Sequence, residues 1–428
     1  MAEDRPSKQT GSLTAPLTAL LVGVLFPLLV GGQGREDVCF PGEGPFVQLP
    51  PDPKFVPHVE KFSYDLFDKI SKSEGERSVI LSPYSVWSVL SLAYFGSMGN
   101  TQQELQRVLG YVNKTHTLSN WNALRFFLES GSGDAILNVA NRGYFSDQLD
   151  LNRCLTSRLF DLQVVDFTKN EAARQAINRE VNTTTQGRIP ELITFLSPNT
   201  RFALVNAIFF KGIWETEFDP EQTQPHEFLV PPGVSSGSVP MMNRVGFMVA
   251  GQAEGLDALM VELPYRDSNV SMYILLPNNP LEPTTALTSR LNPASFAAAV
   301  RGLPRETYVQ LTMPKFKLTT RYENELKEAL ATLGMTSLFD PSRANLRGFA
   351  DPTSPLFVDT TIHQATVEVN EEGTVAAGGT ALINTRIGPQ NPLIVTVNRP
   401  FMYLIVEKRT RIPLFIGKVT SADDLQSL

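Results

Sequence analysis

The chain has 428 residues, 42% of them hydrophobic, with 37 basic against 44 acidic side chains and a net charge of −7. That length and apolar share bury one large core or two ordinary ones. The acidic balance argues against a nucleic-acid surface, and two cysteines exclude a disulfide-framed scaffold.

At the N-terminus an apolar run from Leu17 to Val30 follows Arg5 and Lys8 and ends in Gly31-Gly32-Gln33-Gly34. It is short for a bilayer span and closes on small residues, so residues 1–34 are expected to be a secretion signal, cleaved near Gly32 or Gly34. The alternative is an uncleaved anchor, because the leader Met1–Pro16 is long and carries Glu3 and Asp4. Residues 35–57 read as a tail and 58–428 as one domain, since the prolines and glycines are scattered and no repeat appears. Cys39 and Cys154 either pair, tying the tail to the body, or remain two free thiols. With His58, His116, His226 and His363 they form no recognisable metal motif, and no cofactor is expected. Asn113, Asn182 and Asn269 open N-x-S/T triplets compatible with a secreted glycoprotein.

Val59, Phe62, Leu66, Phe67 and Ile70 recur at helical spacing. Thr101-Gln-Gln-Glu104 reads as a capping box opening a short helix with Leu105, Val108 and Leu109, and Gly110 as its stop. Branched and aromatic residues then mark strands at Phe202–Phe210, Met260–Leu263, Val270–Leu276 and Leu393–Val397, with Tyr265–Asn269 as a hairpin turn. A further helix is expected over Glu323–Leu333, with Glu323 pairing Lys327 and Gly334 ending it. The class is mixed α+β.

Enzyme chemistry finds no support. Gly233-Val-Ser235-Ser-Gly237 matches a nucleophile elbow, but Pro231-Pro232 before it and Val239-Pro240 after it favour a flexible polar loop over a secreted hydrolase. His363 lies in an apolar run, Ile362–Val369, and reads as a hydrogen-bonded core histidine rather than a catalytic base.

The most informative stretch is Glu368–Thr380. No proline occurs from Gly373 to Gly388, so every backbone donor needed in a central strand is present. In such a strand Thr374, Ala376, Gly378, Thr380 and Leu382 line one face, and Val375, Ala377, Gly379, Ala381 and Ile383 the other. Exposed, the same segment is a flexible loop, because Gly378-Gly379 carries high backbone entropy. A plain linker has the same composition.

The hinge Glu371-Glu372-Gly373-Thr374 accompanies Leu81-Ser82-Pro83-Tyr84-Ser85, Gly96–Thr101, Asn206–Trp214, Asn398-Arg399-Pro400-Phe401 and Phe415–Val419. With these motifs in this order, the chain resembles the serpin family from about Lys61 to Val419. The resemblance implies helices packed around three mostly antiparallel sheets, with an exposed reactive loop at about 371–392. It implies a secreted inhibitor that traps a serine protease as an acyl-enzyme while the cut loop enters the main sheet. Family roles carry over to the hinge residues Glu371, Glu372, Gly373, Thr374, Ala376, Ala377, Gly378 and Gly379. They carry over also to Ser82, Ser85, Asn206 and His363 in a polar "shutter" beneath the opening sheet, and to Trp214 and Lys315 where the loop enters. Counting back from Pro400 with a loop length found in the family puts the scissile bond at Arg386-Ile387 and makes trypsin-like enzymes the partners. Counting fourteen steps on from Gly373 puts Ile387 first, which favours elastase- or chymotrypsin-like enzymes. The non-inhibitory members, acting as carriers, chaperones or storage proteins, are the rival reading. A monomer is expected. The segment after Gly110 offers only Lys114, His116 and Arg125, so strong heparin binding is not expected.

Overall fold

The structure, a computed structural model, describes residues 39–40, 50–130, 134–350, 355–374 and 391–425. The expected signal segment, the scissile bond Arg386-Ile387 and the hinge residues Ala376, Ala377, Gly378 and Gly379 lie outside them. The described helices are α1 (Val56–Ser73), α2 (Pro83–Gly96), α3 (Gly99–Leu109), α4 (Lys114–Glu129), α5 (Arg153–Arg158), α6 (Asn170–Thr184), α7 (Thr284–Arg290), α8 (Pro293–Gly302) and α9 (Asn324–Thr332). The strands begin with β1 (Val79–Leu81), β2 (Ile136–Ser146), β3 (Leu162–Val165), β4 (Phe202–Ile213), β5 (Gln224–Val230), β6 (Val234–Ala253) and β7 (Ala258–Pro264). They continue with β8 (Val270–Pro277), β9 (Thr307–Pro314), β10 (Phe316–Tyr322), β11 (Thr360–Val369), β12 (Gly373–Thr374), β13 (Leu393–Thr396), β14 (Phe401–Glu407) and β15 (Ile412–Val419).

Three sheets result, mostly antiparallel as expected. One runs β10-β11-β4-β2-β3, with β12 also on β4. The others share the long β6, whose Val249–Ala253 pairs β7 in the sheet β1-β15-β14-β8-β7-β6, while its earlier residues pair β5 and β9, and β9 pairs β13. The apolar stripe of α1 is buried as its spacing predicts. α2 is buried on every side, so its sequence lacks the one-sided period that announces a surface helix. Gly110 ends α3 at φ +74°, the left-handed cap expected of it.

Three expectations are corrected. The box Thr101–Glu104 does not cap α3, which starts at Gly99. Instead the Glu104 carboxylate accepts the backbone N–H groups of Thr336 and Ser337 at 2.8 Å each, and Thr101 accepts that of Asn345, so a tertiary tie displaces the local one. Glu323 precedes α9 and pairs Arg321, while Lys327 donates to the Asp359 carbonyl at 2.8 Å. Gly233–Gly237 is not a free loop: after Pro231-Pro232 the chain enters β6, and Ser235 pairs Leu229 of β5. That strand context also lacks the helix a nucleophile elbow requires. Cys39 and Cys154 pair as a disulfide, with Cα atoms 5.6 Å apart. Among the described residues no helix is long and apolar enough to cross a membrane.

Candidate functional site

β4 and β11 are parallel neighbours inside a sheet whose other long pairings are antiparallel. Their register holds from Thr360–Ala203 to Thr366–Phe209, after which the strands part. At the gap the chain turns back through 370–373, and β12 pairs β4 antiparallel, Gly373 opposite Ile213 and Thr374 opposite Gly212. Gly373 and Thr374 of the hinge are thus already seated against β4.

This turn is gripped from several sides. The Trp214 backbone N–H donates to the Glu372 carbonyl at 2.9 Å, and its indole N–H to the Asn370 carbonyl at 2.9 Å. Trp214 stacks on Tyr265 at 4.6 Å between ring centroids, and the Tyr265 hydroxyl meets Thr374 Oγ1 at 2.8 Å. Thr374 is fully buried. Gly373 is required by close approach: a Cβ there would lie 2.0 Å from the Gly212 carbonyl oxygen. Glu371, only 7% exposed, takes the Lys315 ammonium at 2.9 Å and the Thr223 hydroxyl at 2.8 Å. Burial alone raises its carboxyl, but the Lys315 bond, its own backbone and Thr223, with the Lys315 charge, outweigh that and hold it below its ordinary range.

Further down the same pair of strands, His363 of β11 and Asn206 of β4 stand side by side and are hydrogen-bonded through Nδ1 and Oδ1. The Ser82 backbone N–H donates to His363 Nε2 at 3.1 Å, so Nδ1 carries the proton and donates to Asn206. Asn206 Nδ2 donates to Ser85 and Asn141, and Ser85 Oγ donates to Asn141 Oδ1 at 2.9 Å. Ser82 caps α2 by accepting from the Ser85 N–H. All four expected shutter residues therefore belong to one buried network, and the fifth member, Asn141, was missed. Nothing in its strand distinguishes it; only the β2–β4 register, Asn141 opposite Asn206, brings it in.

Burial pushes the His363 ring down to about 3 from its ordinary 6.5, so the ring is neutral at pH 7. The unfolded chain takes up a proton below 6.5 that the folded ring refuses, so its contribution to stability is complete above that pH and is lost as pH falls. The expected loss approaches about 1.4 kcal/mol per pH unit between 6.5 and 3. Glu60, whose burial lifts its carboxyl to about 7, acts in the opposite sense, so the wild type must be compared with a variant. Urea midpoints measured at pH 7 and 5 are expected to fall more steeply for the wild type than for His363→Gln, and equal slopes would contradict the assignment.

A second latch crosses the same strands. Glu368 of β11, 3% exposed, pairs Lys317 of β10 at 2.8 Å and Arg188 at 2.9 Å, and the Arg188 guanidinium lies 5.7 Å from the ring centre of Phe209 in β4. Arg188 follows α6, whose Ile177 and Val181 pack with Val205 of β4 and Ile362 of β11, covering both strands.

Of the three triplets, Asn113 is exposed and caps α4 by accepting from the His116 N–H at 2.8 Å, Asn182 lies in α6, and Asn269 is the last residue of the β7–β8 turn. Of the basic residues after Gly110, Lys114 donates to the Ser97 carbonyl at 2.7 Å and Arg125 is held by Asp161 and Glu129. His116 meets Asp52 at 3.2 Å.

The hinge residues Gly373 and Thr374, the polar network between two parallel strands and Trp214 at their parting lie along one seam of the sheet. Comparison with known proteins gives the family. The family model described as "Serpin (serine protease inhibitor)" matches residues 57–422. The chain is 34% identical to intracellular coagulation inhibitor 1 of Tachypleus tridentatus over 377 residues, 84% of this chain and 87% of that protein. It is 32% identical to the leukocyte elastase inhibitor of Xenopus tropicalis, covering 84% and 97%. Among solved structures it resembles native protease nexin-1 with heparin at TM-score 0.76 and 27% identity, covering 86% of this chain and 100% of that one. It also resembles the thyroxine-binding globulin complex with thyroxine at TM-score 0.76 and 26% identity, covering 86% and 98%. On motif, fold and similarity together, this chain belongs to the serpin family of serine protease inhibitors.

Proposed function

We propose that the protein is a secreted suicide inhibitor of trypsin-like serine proteases, cut at Arg386-Ile387. The observation that carries the reading is the polarity of the strands. β4 and β11 are parallel, and β12 enters antiparallel to β4, the direction a strand must take to separate them. One parallel pairing is then exchanged for two antiparallel ones, which are the more stable per residue. Continuing the Thr374–Gly212 register would bring Ala376 opposite Phe210, Gly378 opposite Ile208, Thr380 opposite Asn206 and Leu382 opposite Leu204. The small side chains of Ala376 and Gly378 suit that buried face, and β4 is long enough for the whole arm, since Asn384 would reach Phe202.

In this mechanism the protease serine attacks the Arg386 carbonyl, the Ile387 amine leaves, and an ester joins the two proteins. The arm inserts before water reaches that ester, and the strain released distorts the bound enzyme. Arginine suits an acidic primary pocket, and were Ile387 the residue recognised, elastase- or chymotrypsin-like enzymes would take its place. A carrier role, as the thyroxine complex of one relative suggests, is disfavoured by the small, uncharged residues after Gly373. Secretion is supported by the Cys39–Cys154 disulfide, which belongs to an oxidising compartment, and by the leader. With Lys114 and Arg125 already engaged, no strong heparin site is proposed.

The test is incubation with trypsin, thrombin, plasmin, elastase and chymotrypsin. An SDS-resistant adduct with a trypsin-like enzyme is expected, together with a released peptide that begins at Ile387. Arg386→Ala is expected to slow trypsin trapping by about 1,000-fold or more, because the acidic pocket is left without its partner. Unchanged trapping would mean that another bond is cut.

A further inference from the structure

We propose that the Cys39–Cys154 disulfide, with Phe40 beside it, is a redox-sensitive leash on the opening of the sheet, so that reducing the bond lets an uncut molecule take up its own arm faster. The proposal rests on the insertion mechanism given above. Entry of a strand between β4 and β11 widens their spacing by about 4.8 Å. β2 and β3 lie on the β4 side of that seam, and β10 on the β11 side. α5 connects β2 to β3. It runs into β3 through consecutive backbone bonds, the Leu159 N–H donating to the Leu155 carbonyl at 2.9 Å and the Leu162 N–H to the Leu159 carbonyl at 3.0 Å. Cys154, in this helix, therefore travels with β2 and β3.

Phe40 belongs to the other side. It is 5% exposed, and its ring centre lies 5.9 Å from that of Phe95 in α2 and 5.9 Å from the Lys114 ammonium. The chain entering α2 is held to β10 and β11 by two backbone donors, the Ile80 N–H to Thr320 Oγ1 at 3.1 Å and the Ser82 N–H to His363 Nε2 at 3.1 Å. Bonds of Ser85 to Asn141 and Asn206, and of Asn152 to Gly348 and Phe349 ahead of α5, also tie the two sides. Such bonds pass to water or to new partners as the strands part. A disulfide cannot, because its Cα atoms, 5.6 Å apart here, reach no farther than about 7 Å. Cys39 must follow Cys154, and Phe40, the next residue, is drawn out of its seat. The chain from Phe40 to Phe55 could extend to about 50 Å, so the buried ring, rather than the length of the tail, sets the restraint. A dithiol breaks the S–S bond by supplying two electrons and two protons, leaves two thiols and closes into its own disulfide. The strands then part without exposing Phe40.

The experiment holds the uncut protein warm without protease and follows, by calorimetry, the fraction that has become more heat-stable, while a denaturing gel shows the chain to be whole. Wild type is compared with the double variant Cys39→Ser, Cys154→Ser, with wild type treated with dithiothreitol after folding, and with Phe40→Ala and Phe40→Leu. The heat-stable form is expected to appear about tenfold or more faster in the double variant and in the reduced wild type, since exposing a phenylalanine ring no longer opposes opening. Phe40→Ala, its disulfide intact, should convert about fivefold faster or more, and Phe40→Leu, which refills the seat, within about twofold of wild type. A bond that only stabilised the fold would leave Phe40→Ala at the wild-type rate, and that result would overturn the proposal. So would conversion of the double variant or the reduced protein no faster than that of wild type. Cutting the loop separates the two readings. If cut wild type gains no heat stability, insertion itself is absent and the inhibitory reading has failed; if it gains stability while no variant converts faster than wild type, only the leash has failed. Should the double variant not fold, the reduced wild type and Phe40→Ala carry the same test.

Discussion

Replacing Thr374 with arginine is expected to turn the inhibitor into a substrate. Thr374 is fully buried, opposite Gly212, with its hydroxyl against Tyr265. A guanidinium there finds no carboxylate among these partners, and burying an unpaired charge costs several kcal/mol. If about 4 kcal/mol of that appears in the barrier to insertion, the step slows roughly a thousandfold. The proposed scissile bond lies twelve residues on, so cleavage itself should continue at the wild-type rate. Hydrolysis of the ester then wins, and the gel should show free active protease beside cut inhibitor. A detergent-stable adduct in wild-type yield would contradict the insertion path laid out here.

Cutting the loop should also stabilise the body. Once the arm is free at Arg386, every backbone group from Thr374 onward can find partners on both β4 and β11. A gain of about 5 kcal/mol raises the melting temperature by roughly 6 °C in a domain of this size, and an increase at least that large is expected after the loop is nicked by a protease that is not trapped. The Thr374→Arg protein, nicked in the same way, should gain less. Equal melting of cut and uncut wild type would mean that no free energy is held in the native sheet.

Much of this was legible from residues alone, and the exceptions share a cause. α1, β4, β7 and β8 announce themselves because one-sided burial leaves a period and two-sided burial leaves a branched apolar run. Gly110 and Gly334 announce helix ends because only glycine is at ease with positive φ; both have it. α2 was silent because it is buried all round. Thr101, Glu104 and Lys327 obeyed local rules on paper and were claimed by distant partners in space, and Glu323 by Arg321 of the preceding strand. Asn141 and Arg188 could not be read at all, since each acquires its role only through strand register or through the path of the chain after α6. The parallel pairing of β4 and β11, on which the insertion mechanism turns, joins residues more than 150 positions apart and leaves no local trace.

Arg188 rests on Phe209 of β4 and pairs Glu368 of β11. On the proposed insertion mechanism, this tie between the two strands should delay the moment when the intact arm slides in of its own accord, unprovoked by any enzyme. A preparation kept warm would then fade in potency with no peptide bond broken, and it would fade sooner once the arginine's grip was gone. Potency in such a molecule is a perishable quantity, and the latch decides its date.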